Sequence, residues 1–213
     1  MSCSVVLVED HALVRRGIRT MLNGESWLEV VGEAADGREA LKKVRKLQPE
    51  IVLMDVGMTG LCGQEATRRI KQEHSDVRVV GVSIYADRDV VMRMFRAGAD
   101  AYVPKKSAYS ELLDALRAVK EGESYISPTV AGPVLKYRRQ GGKARRPADE
   151  LTAREREVLQ LVAEGNTSKE IAKILNVSAK TVDNHRQNMM SKLDLHTVSE
   201  LTKYAIRKGL TTL

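Results

Sequence analysis

The chain has 213 residues, 43% of them hydrophobic and 30% charged, which excludes a disordered or collagen-like polypeptide. No apolar run approaches the roughly 20 residues that span a bilayer, MSCSVVLVED lacks the basic start of a secretory signal, and Cys3 and Cys62 share no metal-ligand spacing, so a reduced, cytoplasmic, non-membrane protein without structural zinc is expected. The net charge of +7 is uneven: residues 1–132 carry 19 basic and 19 acidic side chains, residues 133–213 carry 16 and 9, which points to a polyanion partner for the last part or, more plainly, to a solubilising surface there.

Val5–Val8, Leu28–Val31, Ile51–Met54, Val77–Val82 and Ala101–Val103 read as five strands, and their near-continuous apolarity suits a parallel sheet buried on both faces. Helical spacing covers Ala12–Leu22, Arg38–Leu47, Gln64–Gln72, Arg88–Ala97 and Ser110–Lys120, with Gly98 and Gly122 as stops. This alternation predicts an α/β flavodoxin-like (βα)5 domain over residues 1–122. Residues 123–150 read as a linker, part helical from Ser127-Pro128 to about Arg139, then a basic Gly141–Pro147 connector. That stretch is either solvated or in contact with DNA or a neighbouring domain.

Residues 151–213 show no strand pattern and predict an all-α four-helix domain. Thr152-x-x-Glu155, Thr167-x-x-Glu170 and Thr197-x-x-Glu200 match the capping box, Ser178 can cap one more helix, and Gly165, Asn176 and Gly209 sit where helices should stop. Within it, Ile171, Ala172, Leu175, Val177 and Val182 fit two packed helices joined by a tight turn at Asn176, either a helix-turn-helix or an ordinary helical hairpin.

Strand ends carry the chemistry. Glu9 and Asp10 follow the first strand and Asp55 the third, and in a doubly wound sheet these ends form the ligand crevice. Converging carboxylates repel unless a cation lies among them, and a hard, oxygen-liking ion such as Mg²⁺ fits. Each acid taken alone reads better as a cap for the helix that follows. Ser83 ends the fourth strand and Lys105 follows the fifth, supplying the hydroxyl and point charge that a phosphoryl group needs.

VVLVEDH, VLMDVGMTG, VVGVSIYAD and AGADAYVPKKS together resemble the receiver domain of bacterial response regulators, over residues 4 to about 121. The resemblance implies that Asp55 accepts a phosphoryl group from a sensor histidine kinase. It implies Mg²⁺ held by Glu9, Asp10, Asp55 and the Gly57 carbonyl, with Lys105 paired to the phosphoryl oxygens. Ser83 and Tyr102 would then switch, Tyr102 turning inward. Self-phosphorylation from small donors and self-dephosphorylation are compatible with such a pocket. Two positions depart from the pattern. Thr59 stands where D-x-x-M-P-G has Pro, which frees a backbone donor and is expected to loosen the loop. Pro104 precedes Lys105, and the Val103–Pro104 bond is expected to be trans.

The stretch LTAREREVLQLVAEGNTSKEIAKILNVSAKTVDNHRQNMMSKLDL resembles the LuxR-type DNA-binding domain. Both halves together resemble the NarL/FixJ family of response regulators. That implies a recognition helix at about Ala179–Leu193, promoter DNA as ligand, a homodimer on activation, and RNA polymerase as a further partner open to a protein of this kind. Val182, Met189 and Leu193 should face the core, with Lys180, Asp183, Asn184, Gln187 and Ser191 on the other face. Asn184 and Gln187 are base-reading candidates and Asp183 a discriminator. Thr167, Lys169, Lys180, Thr181, His185, Arg186 and Lys192 are phosphate candidates, although His185 reads equally as a packing histidine. The expected function is a phosphorylation-switched transcription regulator and not an enzyme. The competing readings are a constitutive DNA binder with an unresponsive receiver and an aspartyl-phosphate phosphohydrolase.

Overall fold

Successive side chains of a strand point to opposite faces, and strand β1 (Cys3–Val8) thereby feeds two cores at once. The computed structural model describes residues 2–139 and 151–211, apart from 194, 196 and 209. Cys3, Val5 and Leu7 enter one apolar cluster, Val6 and Val8 the other. After β1 come α1 (Ala12–Asn23), β2 (Leu28–Ala34), α2 (Gly37–Leu47), β3 (Ile51–Asp55), α3 (Gly63–Glu73), β4 (Arg78–Ser83), α4 (Arg88–Arg96), β5 (Ala101–Pro104) and α5 (Tyr109–Lys120). The strands pair in parallel in the order β2-β1-β3-β4-β5 and then one strand more, β6 (Tyr125–Ile126). Leu22 of α1 and Leu113, Leu116 and Val119 of α5 cover one face; Leu41 and Val44 of α2 and Ala66 and Ile70 of α3 cover the other. This order places the carboxyl ends of β1 and β3 side by side, at the point where the winding reverses.

Two elements differ from the sequence reading. β2 runs on to Ala34 because a register shift between Val5 and Val6 lets Gly32–Ala34 pair with Val6–Val8 despite their mixed polarity. The segment read as a part-helical linker from residue 123 first adds β6 to the sheet, and the helix expected from Ser127-Pro128 follows as α6 (Pro128–Arg139). Tyr102 O accepts from Ser127 N–H at 3.1 Å. Val130 and Val134 of α6 are buried in a third cluster with Val56, Met94 and Tyr102. Full burial of one such valine contributes about 1.5 kcal/mol or more. The first compact unit therefore spans Met1–Gln140 and the second Gly141–Leu213.

The second unit contains α7 (Ala153–Ala163), α8 (Ser168–Leu175), α9 (Ala179–Leu193) and α10 (Val198–Arg207). Each of the three expected capping boxes is closed in both directions, and Ser178 Oγ accepts from Thr181 N–H at 3.0 Å at the start of α9. Asn176 ends α8 in the left-handed region, with φ of 52°, and Gly165 takes φ of 86° after α7. Val158, Leu159, Ile171, Val182, Met189, Leu201 and Ala205 are fully or almost fully buried between these helices. Leu193, expected in the core, is half-buried. The basic connector from Gly141 to Pro147 and the stop expected at Gly209 lie outside the described residues. No helix among the described residues is long and apolar enough to cross a membrane.

Candidate functional sites

The parallel strands deliver Glu9, Asp10 and Asp55 to one end of the sheet, and His11 joins them. Ligand atoms of these four residues all lie within 4.8 Å of one another. Glu9 and Asp55 are buried, and Lys105, arriving from the end of β5, bridges them. Its Nζ donates to Glu9 Oε2 at 2.6 Å and to Asp55 Oδ2 at 2.8 Å. Gly57 N–H donates to the other Asp55 oxygen at 3.1 Å. Arg15 donates to the Glu9 carbonyl at 2.5 Å, which braces the turn into α1.

One ammonium thus serves two buried carboxylates, and the balance is not neutral. Burial pushes the Asp55 carboxyl up, Lys105 pulls it back and Glu9 pushes it up again, so the net direction is upward. Burial works to lower Lys105, but the pairing with Asp55 and Glu9 outweighs it and holds the ammonium charged. Asp10 is placed differently. Its Oδ2 accepts from Thr59 N–H at 3.1 Å. Its Oδ1 is buried, lies 2.7 Å from His11 Nδ1, and has no hydrogen bond of proper geometry. An excess of oxygen ligands over cations, with one carboxylate oxygen left over, is a donor set that suits a hard divalent ion.

The loop after Asp55 packs tightly. A Cβ added to Gly63 would lie 1.9 Å from the Asp55 carbonyl oxygen, so only glycine fits where α3 begins. Neither Gly63 nor His11 stood out as a site residue from the sequence. His11 does follow the two acids directly, a signal that was available; the approach of Gly63 to Asp55 depends on the path of the loop. The backbone donor freed by Thr59 is not idle, since it holds Asp10. The Val103–Pro104 bond is trans, as every peptide bond is among the described residues.

Ser83 and Tyr102 sit behind Asp55 on neighbouring strands. Ser83 is fully buried, and its Oγ accepts from Tyr85 N–H at 3.1 Å. Tyr102 is already buried, its hydroxyl donating to the Tyr85 carbonyl at 2.6 Å, where a ring turning inward on activation was expected. Burial pushes its hydroxyl up to about 12. Tyr85 is therefore the shared partner of both residues, a role that no local pattern signals.

In the helical unit, α9 presents Lys180, Asp183, Asn184, Gln187 and Ser191 to solvent, as its spacing predicts. Lys169 and Thr167 are exposed on α8 and its cap, and Thr181, His185 and Arg186 are half-buried. Several candidates have internal partners. Lys192 Nζ donates to both oxygens of buried Glu155 at 2.8 Å, tying α9 to the start of α7. Asp183 Oδ1 accepts from Ser168 Oγ at 2.7 Å, and Arg186 donates to the same hydroxyl at 3.3 Å. Thr167 Oγ1 donates to Glu170 at 2.7 Å within its capping box. Burial works to raise Glu155, but hydrogen bonds from Lys192 and Thr152 outweigh it and hold the carboxyl below its ordinary value.

An acidic pocket at the strand ends of an α/β unit and an exposed polar helix face on a helix-turn-helix unit are the layout of a receiver followed by a helical output domain. Residues 5–117 match the response regulator receiver domain, and residues 149–205 match the bacterial regulatory proteins of the luxR family. The chain belongs to the NarL/FixJ family of two-component response regulators, with a receiver and a LuxR-type DNA-binding domain. It is 40% identical over 206 residues to the transcriptional regulatory protein LiaR of Bacillus subtilis, covering 97% of this chain and 98% of LiaR. It is 37% identical over 207 residues to the response regulator UvrY of Escherichia coli, covering 97% and 95%. RcsB of Salmonella enterica serovar Typhimurium, solved on the rprA promoter with phosphomimetic BeF3-, superposes with a TM-score of 0.67 at 26% identity, over 96% of this chain and 98% of RcsB.

Proposed function

We propose that a sensor histidine kinase phosphorylates this regulator on Asp55 and that the modification promotes homodimerisation and promoter binding. The observation that carries the reading is the single Lys105 ammonium set between Asp55 and Glu9, with Asp10 beside them. An Asp55 oxygen attacks the phosphorus of a phosphohistidine. A P–O bond forms, the P–N bond breaks, and the departing imidazole nitrogen takes a proton from water. Glu9, Asp10, Asp55 and the Gly57 carbonyl would hold Mg²⁺, which when bound offsets the negative charge of the phosphoryl oxygens. Lys105, already charged and already on Asp55, stays with the new oxygens.

The phosphoryl group adds about −1.5 to −2 charges and three acceptors next to Ser83. The Ser83 hydroxyl turns to donate to it, which releases Tyr85 N–H. Because the Tyr85 carbonyl also holds Tyr102, the loop between β4 and α4 repacks around a tyrosine that stays inside. In the helical unit, Asn184 and Gln187 read bases, while Lys169, Lys180, Thr181 and Arg186 contact phosphates. RcsB, solved bound to promoter DNA in the presence of a phosphate mimic, supports this reading by its likeness to this chain.

The test is an intact-mass spectrum after incubation with a small phosphodonor, with and without Mg²⁺, beside Asp55→Ala. One added phosphate that requires both Mg²⁺ and Asp55 is expected. No added phosphate in the wild-type chain would transfer the case to a constitutive DNA binder.

A further inference from the structure

Asp10 faces two different neighbours with its two oxygens. Oδ2 accepts from the backbone N–H of Thr59 at 3.1 Å, across 49 residues of chain. Oδ1 is buried without a hydrogen bond and lies 2.7 Å from His11 Nδ1, which is itself 3.2 Å from Glu9 Oε1. A carboxylate is a rigid fork, so holding one oxygen sets the direction of the other. Here the held oxygen faces the loop after Asp55 and the remaining one lies on the Glu9 side. We infer that the Thr59 backbone N–H is a positioning group for the metal site, orienting Asp10 so that Oδ1 is presented to the cation before the cation arrives. The inference rests on the reading of the acidic pocket as a Mg²⁺ site.

The residue type matters because D-x-x-M-P-G, the pattern this loop resembles, has Pro at the position of Thr59, and proline has no N–H to donate. This chain therefore has one more donor on its acidic pocket than that pattern allows. A backbone N–H on a carboxylate is a charge-assisted bond, stronger than a neutral one. It also lowers the ordering cost of binding, because the carboxylate no longer has to be fixed when the ion enters. The threonine hydroxyl has no part in this, so the effect should follow the N–H and not the side chain.

The experiment is calorimetric titration of the full-length protein with MgCl₂, comparing wild type, Thr59→Ala and Thr59→Pro. Thr59→Ala keeps the N–H and is expected to bind within about twofold of wild type. Thr59→Pro removes it and is expected to bind about three- to tenfold more weakly, the size of one net hydrogen bond. Thermal unfolding without Mg²⁺ checks that the proline variant is folded. If it is not, an amide-to-ester replacement at residue 59 deletes the N–H alone and should give the same weakening. Equal affinity of wild type and the folded proline or ester variant would overturn the inference. So would a Thr59→Ala variant as weak as Thr59→Pro, which would assign the effect to the side chain. A wild-type protein that takes up no Mg²⁺ would instead overturn the metal reading of Glu9, Asp10 and Asp55, and the role of Thr59 with it.

Discussion

The two sites of this regulator are built on opposite plans. The acidic pocket is buried, charged and internally partnered: Lys105 holds Glu9 and Asp55, Gly57 holds Asp55, and Thr59 holds Asp10. The α9 surface is exposed, and Lys180, Asn184 and Gln187 stand in solvent. In the first, every side chain is coupled to its neighbours, so a small displacement is felt throughout. In the second, contributions are made singly, by whichever groups reach the ligand. A switch needs the first plan, because a new charge must be converted into movement. A reader of a long polyanion needs the second, since its affinity is the sum of many weak contacts.

The sharpest way to break this contrast is Gly63→Ala. The added methyl would meet the Asp55 carbonyl oxygen at 1.9 Å, so the backbone under the acceptor must move. A loss of about 3 kcal/mol is expected in the urea unfolding of the receiver, with the phosphate uptake lost as well. On α9 the response should be graded. Asn184→Ala is expected to cost about 2 kcal/mol at one base pair, read by a panel of substituted promoter sites. Lys180→Ala is expected to weaken all of those sites alike and reduce the salt slope by about 1.

Two further changes sharpen the contrast through pH. Glu155 is held below its ordinary value of 4.5 by Lys192 and Thr152, so its contribution is complete above that value and is lost as pH falls through the depressed one. Glu155→Gln should cost the helical unit about 1.5 kcal/mol near pH 7 and flatten the acid limb of its thermal stability. Asp55 goes the other way. Its raised carboxyl binds a proton more readily folded than unfolded, so stability rises as pH falls through its titration. Asp55→Asn removes a buried charge facing Glu9 and is expected to stabilise the receiver by about 1 kcal/mol at pH 7, measured by calorimetry.

Legibility in the sequence follows the range of the interactions. The βα alternation, the acids at strand ends and the three capping boxes are local patterns, and the structure shows the elements and boxes where the patterns place them. What escaped depends on partners far apart. The pairing of Lys192 with Glu155 spans 37 residues and draws a candidate DNA contact onto a helix start. Asp183, read as a base discriminator, also accepts from Ser168, 15 residues earlier, a partner no local pattern signals. β6 has only two residues, too few for any periodicity to show, and the Ser127-Pro128 helix signal beside it hides the strand.

That short strand and the helix behind it bear on how this protein can be cut and recombined. Residues after Gly122 complete the sheet edge, and Val130 and Val134 close the cluster that contains Tyr102. A receiver fragment ending at Gly122 would lose both layers and leave apolar surface of α4 bare. Chimeras that graft a new output onto this receiver should therefore keep the chain through Arg139, treating α6 as the last part of the receiver module and not the first part of the tether.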